Sequence, residues 1–357
     1  MNERVAYIDG LRGIAILGVI FYHAYSRWGS VESYNQNQFF IDLFSHGWLG
    51  VQLFFAISGY VIYMSILRYE NILMFLIARY LRLFPAMLIA ALLIYSTSFF
   101  IPERPLGYSS IIDFLPSLTF IDPGLLSKIT GLEIRSLDGA FWSLYVEVKF
   151  YFVAAFAYFI IKDRNLYFIL IIYILWLLLT VAKFLEIDNA YLIISLKTLN
   201  YVGAKYYGWF LLGILAYKFN YSINLPKVIG LFGLAAIVAV TTKFGDLKIT
   251  IAASLTASLF LLPFVFLKIR KLITNKVFLF FGYVSYPLYL VHQNLVTGLA
   301  TKLGEALPAL PPYLYPPPFI IFVIMISFVI AKIEPTIKDA IRNSMPKTLF
   351  NFKLLKG

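Results

Sequence analysis

The sequence contains no cysteine, which excludes disulfides, thiolate metal sites and any cysteinyl acyl intermediate, and leaves the redox compartment undetermined. Charge is scarce as well. Only 13% of the 357 residues are Asp, Glu, Lys or Arg, against roughly 25% in an ordinary soluble domain. No GxSxG, HExxH, P-loop or strand-borne GxGxxG occurs, which removes elbow-serine hydrolases, zincins and nucleotide motors. Three histidines in no ligand-like spacing imply no metal, and no bound cofactor is expected.

What is present is apolar. Hydrophobic residues make up 61% of the chain and the mean hydropathy is +0.81, so there is too little polar surface to coat a soluble core. The chain is predicted to be all-α, a polytopic membrane helix bundle solvated by a lipid bilayer. At about 20 residues per span, apolar windows fall near 8–27, 47–67, 83–101, 141–161, 166–184, 201–217, 227–243, 249–267, 277–296 and 318–333. The opening MNERVAYIDGLRGIAILGVIFYHAYSRW has a basic flank and an apolar run like a signal peptide, but it lacks a small-x-small cleavage site. It is predicted to be retained as the first of about ten transmembrane helices.

The net charge of +12 would suggest nucleic acid in a soluble protein, yet here its distribution matters more, and no nucleic-acid partner is expected. With the N-terminus inside, 18 Lys and Arg residues fall in inside segments, from Arg4 to Lys347, Lys353 and Lys356, and 9 fall outside. That bias predicts both termini to be cytoplasmic. One membrane domain is expected over 1–335, followed by a basic cytoplasmic tail, 336–357. The longest outside segment, near 102–140, is rich in Pro and Gly. Its stretch SIIDFLPSLTFID is too short to span and lies in the interface or re-enters.

Ionisable residues within spans are expensive and therefore candidates for function. In the first span Asp9, Arg12 and His23 lie on one helical stripe, with Arg12 and His23 about 16 Å apart along the axis. Arg79 and Arg82 project together at i, i+3, with Arg68 close by and Pro85 at the start of the next span. Paired guanidinium forks suit phosphate, although positive-inside topology alone would also place arginines here. Ser143, Glu147 and Tyr151 repeat at i, i+4, i+8, and Lys149 points elsewhere, to a partner or outward. In the ninth span Ser285, Tyr289 and His292 share a face. His23, Glu147 and His292 are thus predicted at a similar depth, as a site or as a helix-packing cluster. Trp28, Trp48, Trp142 and Trp209 at outer ends form an aromatic belt or stack on sugars.

The ordered segments IDGLRGIAILGVIFYH, GWLGVQLFFAISGYVI, ARYLRLFP, FWSLYVEVKFYF, YGWFLLGIL and SYPLYLVH resemble the acyltransferase 3 family of multi-span membrane acyltransferases, and the resemblance covers nearly the whole chain. It implies a transmembrane acyltransferase domain over 1–335, of the stand-alone type without a fused SGNH domain, in a bacterial inner (plasma) membrane. It implies that His23 is the catalytic histidine and that Arg12, Arg79 and Arg82, joined by Arg68, handle an acyl-CoA co-substrate such as acetyl-CoA. Glu147 and Trp142 fall in its W, S/T, L, x, x, E pattern, and Tyr286, Tyr289 and His292 in its SYxxYLxH pattern. Many members carry an acid where this chain has Gln52, and an acid then a glutamine where it has Val148 and Lys149.

The expected reaction moves an acyl group to a hydroxyl of an envelope carbohydrate or related acceptor. His23 acts as base or acyl carrier, Glu147 orients it or the acceptor, and Asp9, Trp142, Ser143, Tyr289 and His292 support the acceptor side. The rival reading is a proton-coupled transporter or flippase that uses the same His and Glu as a relay. Partners are then acyl-CoA, a glycan or other hydroxyl acceptor and the lipid bilayer. Oligomeric state is open.

Overall fold

The computed structural model of the protein describes residues 5–28, 37–187, 189–220 and 224–345. Arg4, Lys347, Lys353 and Lys356, used above to assign sidedness, lie outside them. Among the described residues all regular structure is helical. The principal helices are α1 (Ala6–Tyr25), α2 (Leu49–Ile66), α3 (Ile72–Thr97), α4 (Trp142–Phe156), α5 (Asn165–Phe184), α6 (Tyr207–Phe219), α7 (Leu225–Thr242), α8 (Leu247–Val265), α9 (Lys276–Ala306) and α10 (Pro316–Ser344).

Among the described residues, six helical stretches are long and apolar enough to cross a membrane. They contain α2, α3, α4 together with α5, α7, α8 and α10, so the protein is of multi-pass membrane type. Helices α1, α6 and α9 fall outside that set. Helix α6 has 13 residues, while α1 carries Asp9, Arg12 and His23, and α9 the run SYPLYLVHQN. Two of these three, α1 and α9, carry polar residues of the site described below. Large side chains such as Ile171, Leu178, Phe152 and Leu255 face outward and are 57–67% exposed, an arrangement that costs little where the surrounding solvent is hydrocarbon.

Helices α1 and α9 run parallel, because Gly13 meets Phe278 and Gly282 near one end of α1 and His23 meets His292 near the other. A Cβ at Gly282 would overlap the Asp9 carbonyl, and one at Gly13 the Phe278 carbonyl. Small residues let two backbones approach this closely, which is how helices pack where apolar burial gives no driving force. Helix α2 crosses α1 in the opposite sense, with Gly50 at Ala15 and Tyr60 at Tyr7. Helix α4 lies beside α2, with Phe55 against Trp142 at the start of α4.

Three sequence expectations change. Helix α3 begins at Ile72, capped by Asn71, which accepts from the Met74 N–H. Arg79 and Arg82 therefore sit inside the helix and Pro85 is an interior residue rather than its start, a position membrane helices tolerate because neighbouring groups satisfy the freed carbonyl. The segment 102–140 is not merely irregular. Its short helix Phe114–Thr119 descends along α3, from the Tyr95 ring against Phe114 to the Tyr80 hydroxyl, which donates to the Leu118 carbonyl at 3.0 Å. It therefore packs along α3. Finally, the helix that contains the tenth apolar window continues through Pro335 to Ser344, so the first part of the expected tail is helical.

Candidate active site

In the interior of the bundle, side chains from α1, α2, α3, α4 and α9 enclose a chamber of about 110 Å³. Its polar lining comprises Arg12, Ser58, Arg79, Arg82, Glu147 and Tyr151, with Ser143, Ser285, Tyr286 and Tyr289. The i, i+4, i+8 spacing of Ser143, Glu147 and Tyr151 turns one face of α4 into this wall. The Glu147 carboxylate accepts from the Ser58 hydroxyl at 2.8 Å and from the Tyr151 hydroxyl at 2.7 Å.

The three arginines are held differently. Arg12 pairs with Asp9 at 2.9 Å. Arg82 pairs with Glu334 of α10, also at 2.9 Å, beneath the Tyr286 ring. Arg79 donates one Nη to Ser65 at 2.9 Å and lies over the Phe75 ring, but its buried Nε has no hydrogen-bond partner. An unpartnered guanidinium donor at a wall shared with two further cations is what an incoming anion requires.

The histidines are elsewhere. His23, half-buried, and His292, 1% exposed, meet edge to face between the last turn of α1 and the middle of α9, with His23 Nδ1 3.1 Å from His292 Nε2. His292 Nδ1 is 2.8 Å from the Tyr289 carbonyl, and His23 Nδ1 is 2.9 Å from that of Val19. A carbonyl only accepts, so each Nδ1 carries the proton. The one His23 Nδ1 proton is then shared between the Val19 carbonyl and His292 Nε2, and His23 Nε2 is left with its lone pair. Neither ring lines the arginine chamber.

The sequence-predicted residues therefore separate into two groups. Glu147, expected to orient His23 or the acceptor, hydrogen-bonds Ser58 and Tyr151 and shares the chamber with the arginines, while the partner of His23 is His292. Arg68 lies in the turn after α2 and does not line the chamber. Trp142 is 40% exposed and packs on Phe55 and Tyr206 rather than facing the chamber. Lys149 finds partners in Asp122 at 3.8 Å and the Tyr201 carbonyl at 2.9 Å. Ser58 and Glu334 were missed. Glu334 was detectable as an acid beside an apolar span, whereas a serine in such a span carries no sequence signal.

Asp138 was missed too, although Asp before a helical run is a capping signature. It is fully buried just before α4, outside the spanning helices. Its carboxylate accepts from the Ala140 N–H at 2.8 Å and from the Asn294 N–H at 3.2 Å, and Asn294 Nδ2 reaches the Leu137 carbonyl. This ties the start of α4 to the turn of α9 after His292. Burial pushes the Asp138 carboxyl up to about 7, against the pull of the two N–H groups and Arg104. The folded protein thus retains a proton that the unfolded chain loses from about pH 4. Stability falls as pH rises through that window, by on the order of 4 kcal/mol. Thermal unfolding in detergent should show this decline between about pH 4 and 7 in the wild type, and Asp138→Asn should abolish the dependence.

Comparison with known proteins adds the family. No solved structure matches the chain. Protein 2 in the picA locus of Rhizobium radiobacter is 34% identical over 165 residues, which is 41% of this chain and 78% of that protein. The peptidoglycan O-acetyltransferase OatA of Listeria monocytogenes is 30% identical over 172 residues, 43% of this chain and 24% of that protein. The family described as acyltransferase domain matches residues 5–332, which include both the arginine chamber and the histidine pair, and the chain belongs to this acyltransferase 3 family of O-acyltransferases.

Proposed function

We propose that the protein transfers an acyl group, acetyl in the first instance, from cytoplasmic acyl-CoA to a hydroxyl of an envelope carbohydrate. In this reading it sits in a bacterial inner membrane as ten spans with cytoplasmic termini. The observation that carries the reading is the succession, along α1 and α9, of a cationic chamber and then a histidine pair one turn of α9 beyond it. The CoA phosphates meet Arg79, Arg82 and Arg12. Glu147, which only accepts when ionised, receives the amide N–H groups of the pantetheine arm. The thioester travels towards the histidines.

There the acceptor hydroxyl oxygen bonds to the thioester carbonyl carbon while His23 Nε2 takes its proton. Collapse of the tetrahedral adduct breaks the C–S bond, and His23 returns the proton to the departing thiolate. An ester and free CoA result. His292 Nε2, accepting from His23 Nδ1, holds the imidazole in the tautomer that leaves Nε2 free, as a triad partner does. The kinship with a peptidoglycan O-acetyltransferase favours a sugar hydroxyl as acceptor.

Binding and turnover of acetyl-CoA by purified protein in detergent or nanodiscs tests the reading. Saturable binding with acceptor-dependent release of CoA is the expected result. A folded wild-type protein that binds no acyl-CoA of any length would overturn it and leave the histidines as a proton relay of a transporter.

A further inference from the structure

The chamber lining includes neither histidine, and Tyr289 is the lining residue that touches His292. Tyr289 lines the chamber, is 6% exposed, and presses its ring against that of His292 with centroids 5.6 Å apart. Its hydroxyl donates to the Ala140 carbonyl at 2.8 Å and accepts from the Ser143 hydroxyl at 2.7 Å. Phe54 meets the same ring edge-on at 6.0 Å. Tyr289 is therefore fixed at both ends, by α4 through its hydroxyl and by its own helix through its backbone. The backbone has a means of yielding, because Pro287, two residues earlier, removes one hydrogen bond from the α9 ladder and permits a local bend.

We propose that Tyr289 is the gate between the donor chamber and the histidine pair, latched by Ser143, and that the throat it leaves on opening sets the size of acyl group transferred. The inference rests on the acyl-CoA reading for its second half only. A thioester held by the arginines cannot reach His23 Nε2 past a closed tyrosine, so release of the Ser143 latch precedes transfer. The throat is bounded by Phe54, Ser143 and Tyr289, a ring on two sides and a helix on the third, which admits a short acyl chain and rejects a long one. Closed between turnovers, the tyrosine also keeps water at the histidine end from hydrolysing the donor.

The absence of native cysteine makes the test direct. Val61→Cys puts a thiol in the chamber at a residue with no polar role. In sealed vesicles of both orientations, a membrane-impermeant maleimide should label it from the arginine side and not from the histidine side. Adding Tyr289→Ala should open labelling from both sides, and adding Ser143→Ala should give an intermediate rate without loss of folding. In turnover, wild type should lose about 10- to 200-fold in kcat/KM for each methylene beyond the size the throat passes, and Tyr289→Ala should flatten that series and hydrolyse acetyl-CoA without acceptor. Tyr289→Phe, which keeps the ring, should retain the wild-type chain-length profile. Equal labelling from both sides in the wild type, or an unchanged profile and one-sided labelling in a Tyr289→Ala protein that still binds acetyl-CoA, would overturn the gate. Failure of all acyl-CoA binding would instead strike the donor reading, while the labelling arm would still decide the gate.

Discussion

His23→Ala is expected to lower acyl transfer by about 10²- to 10⁴-fold, the usual loss when a general base is removed, while acetyl-CoA still binds with near wild-type affinity. The separation follows from geometry. His23 does not line the chamber that would hold the donor, so its removal should act on kcat and leave the donor dissociation constant alone. His292→Ala should behave differently. Without the acceptor at His292 Nε2, His23 keeps only the Val19 carbonyl to fix its tautomer, so part of the activity should survive with an altered pH profile. Single-turnover kinetics on purified protein, with donor binding measured by calorimetry, separates the two. Near-normal transfer by a folded His23→Ala protein would remove His23 from the mechanism and transfer attention to His292 and Glu147, which can also accept a proton.

The bundle is legible in the sequence because a run of about 20 apolar residues matches the thickness of a bilayer and has no stable place in water; each expected window overlaps a helix, and among the described residues six helical stretches are long and apolar enough to cross a membrane. The helix boundaries are not, and the cause is proline. Pro85 and Pro335 read as a helix start and a helix stop, yet both are interior residues of continuous helices. In a packed bundle the carbonyl that proline leaves free can be satisfied by a neighbour, so the rule that serves in water weakens. The same misreading hides Glu334, which stands at an expected boundary and in fact meets Arg82. His23, His292 and Glu147 stand out as residues costly to place in a span. Their grouping does not follow, because depth counted along separate helices ignores how far each helix is displaced past its neighbour. Close packing of Gly13 and Gly282 sets that displacement for α1 and α9, and no residue spacing within a single helix encodes it.

Arg79→Ala combined with Arg82→Ala should weaken acetyl-CoA binding by about 10²- to 10⁴-fold, since each hydrogen bond between charged groups contributes roughly 1.5 to 3 kcal/mol. The two arginines should not contribute equally. Arg82 already faces the Glu334 carboxylate at 2.9 Å, so a phosphate there must compete with a neutralising partner. Arg79 has no acid in its ion-pair range among the described residues, and its buried Nε is unpartnered, so it gains most from an anion. Arg79→Ala alone should therefore account for most of the loss and Arg82→Ala for the smaller share. Glu334→Gln, which frees Arg82 while keeping its shape, should tighten the donor. Raising salt should weaken binding in wild type more than in the double variant, because screening acts on the charges that remain. An Arg82→Ala protein that lost the donor while Arg79→Ala kept it would place the phosphates on the α10 side of the chamber. Loss in neither would mean that these guanidinium groups only hold α3 against its neighbours.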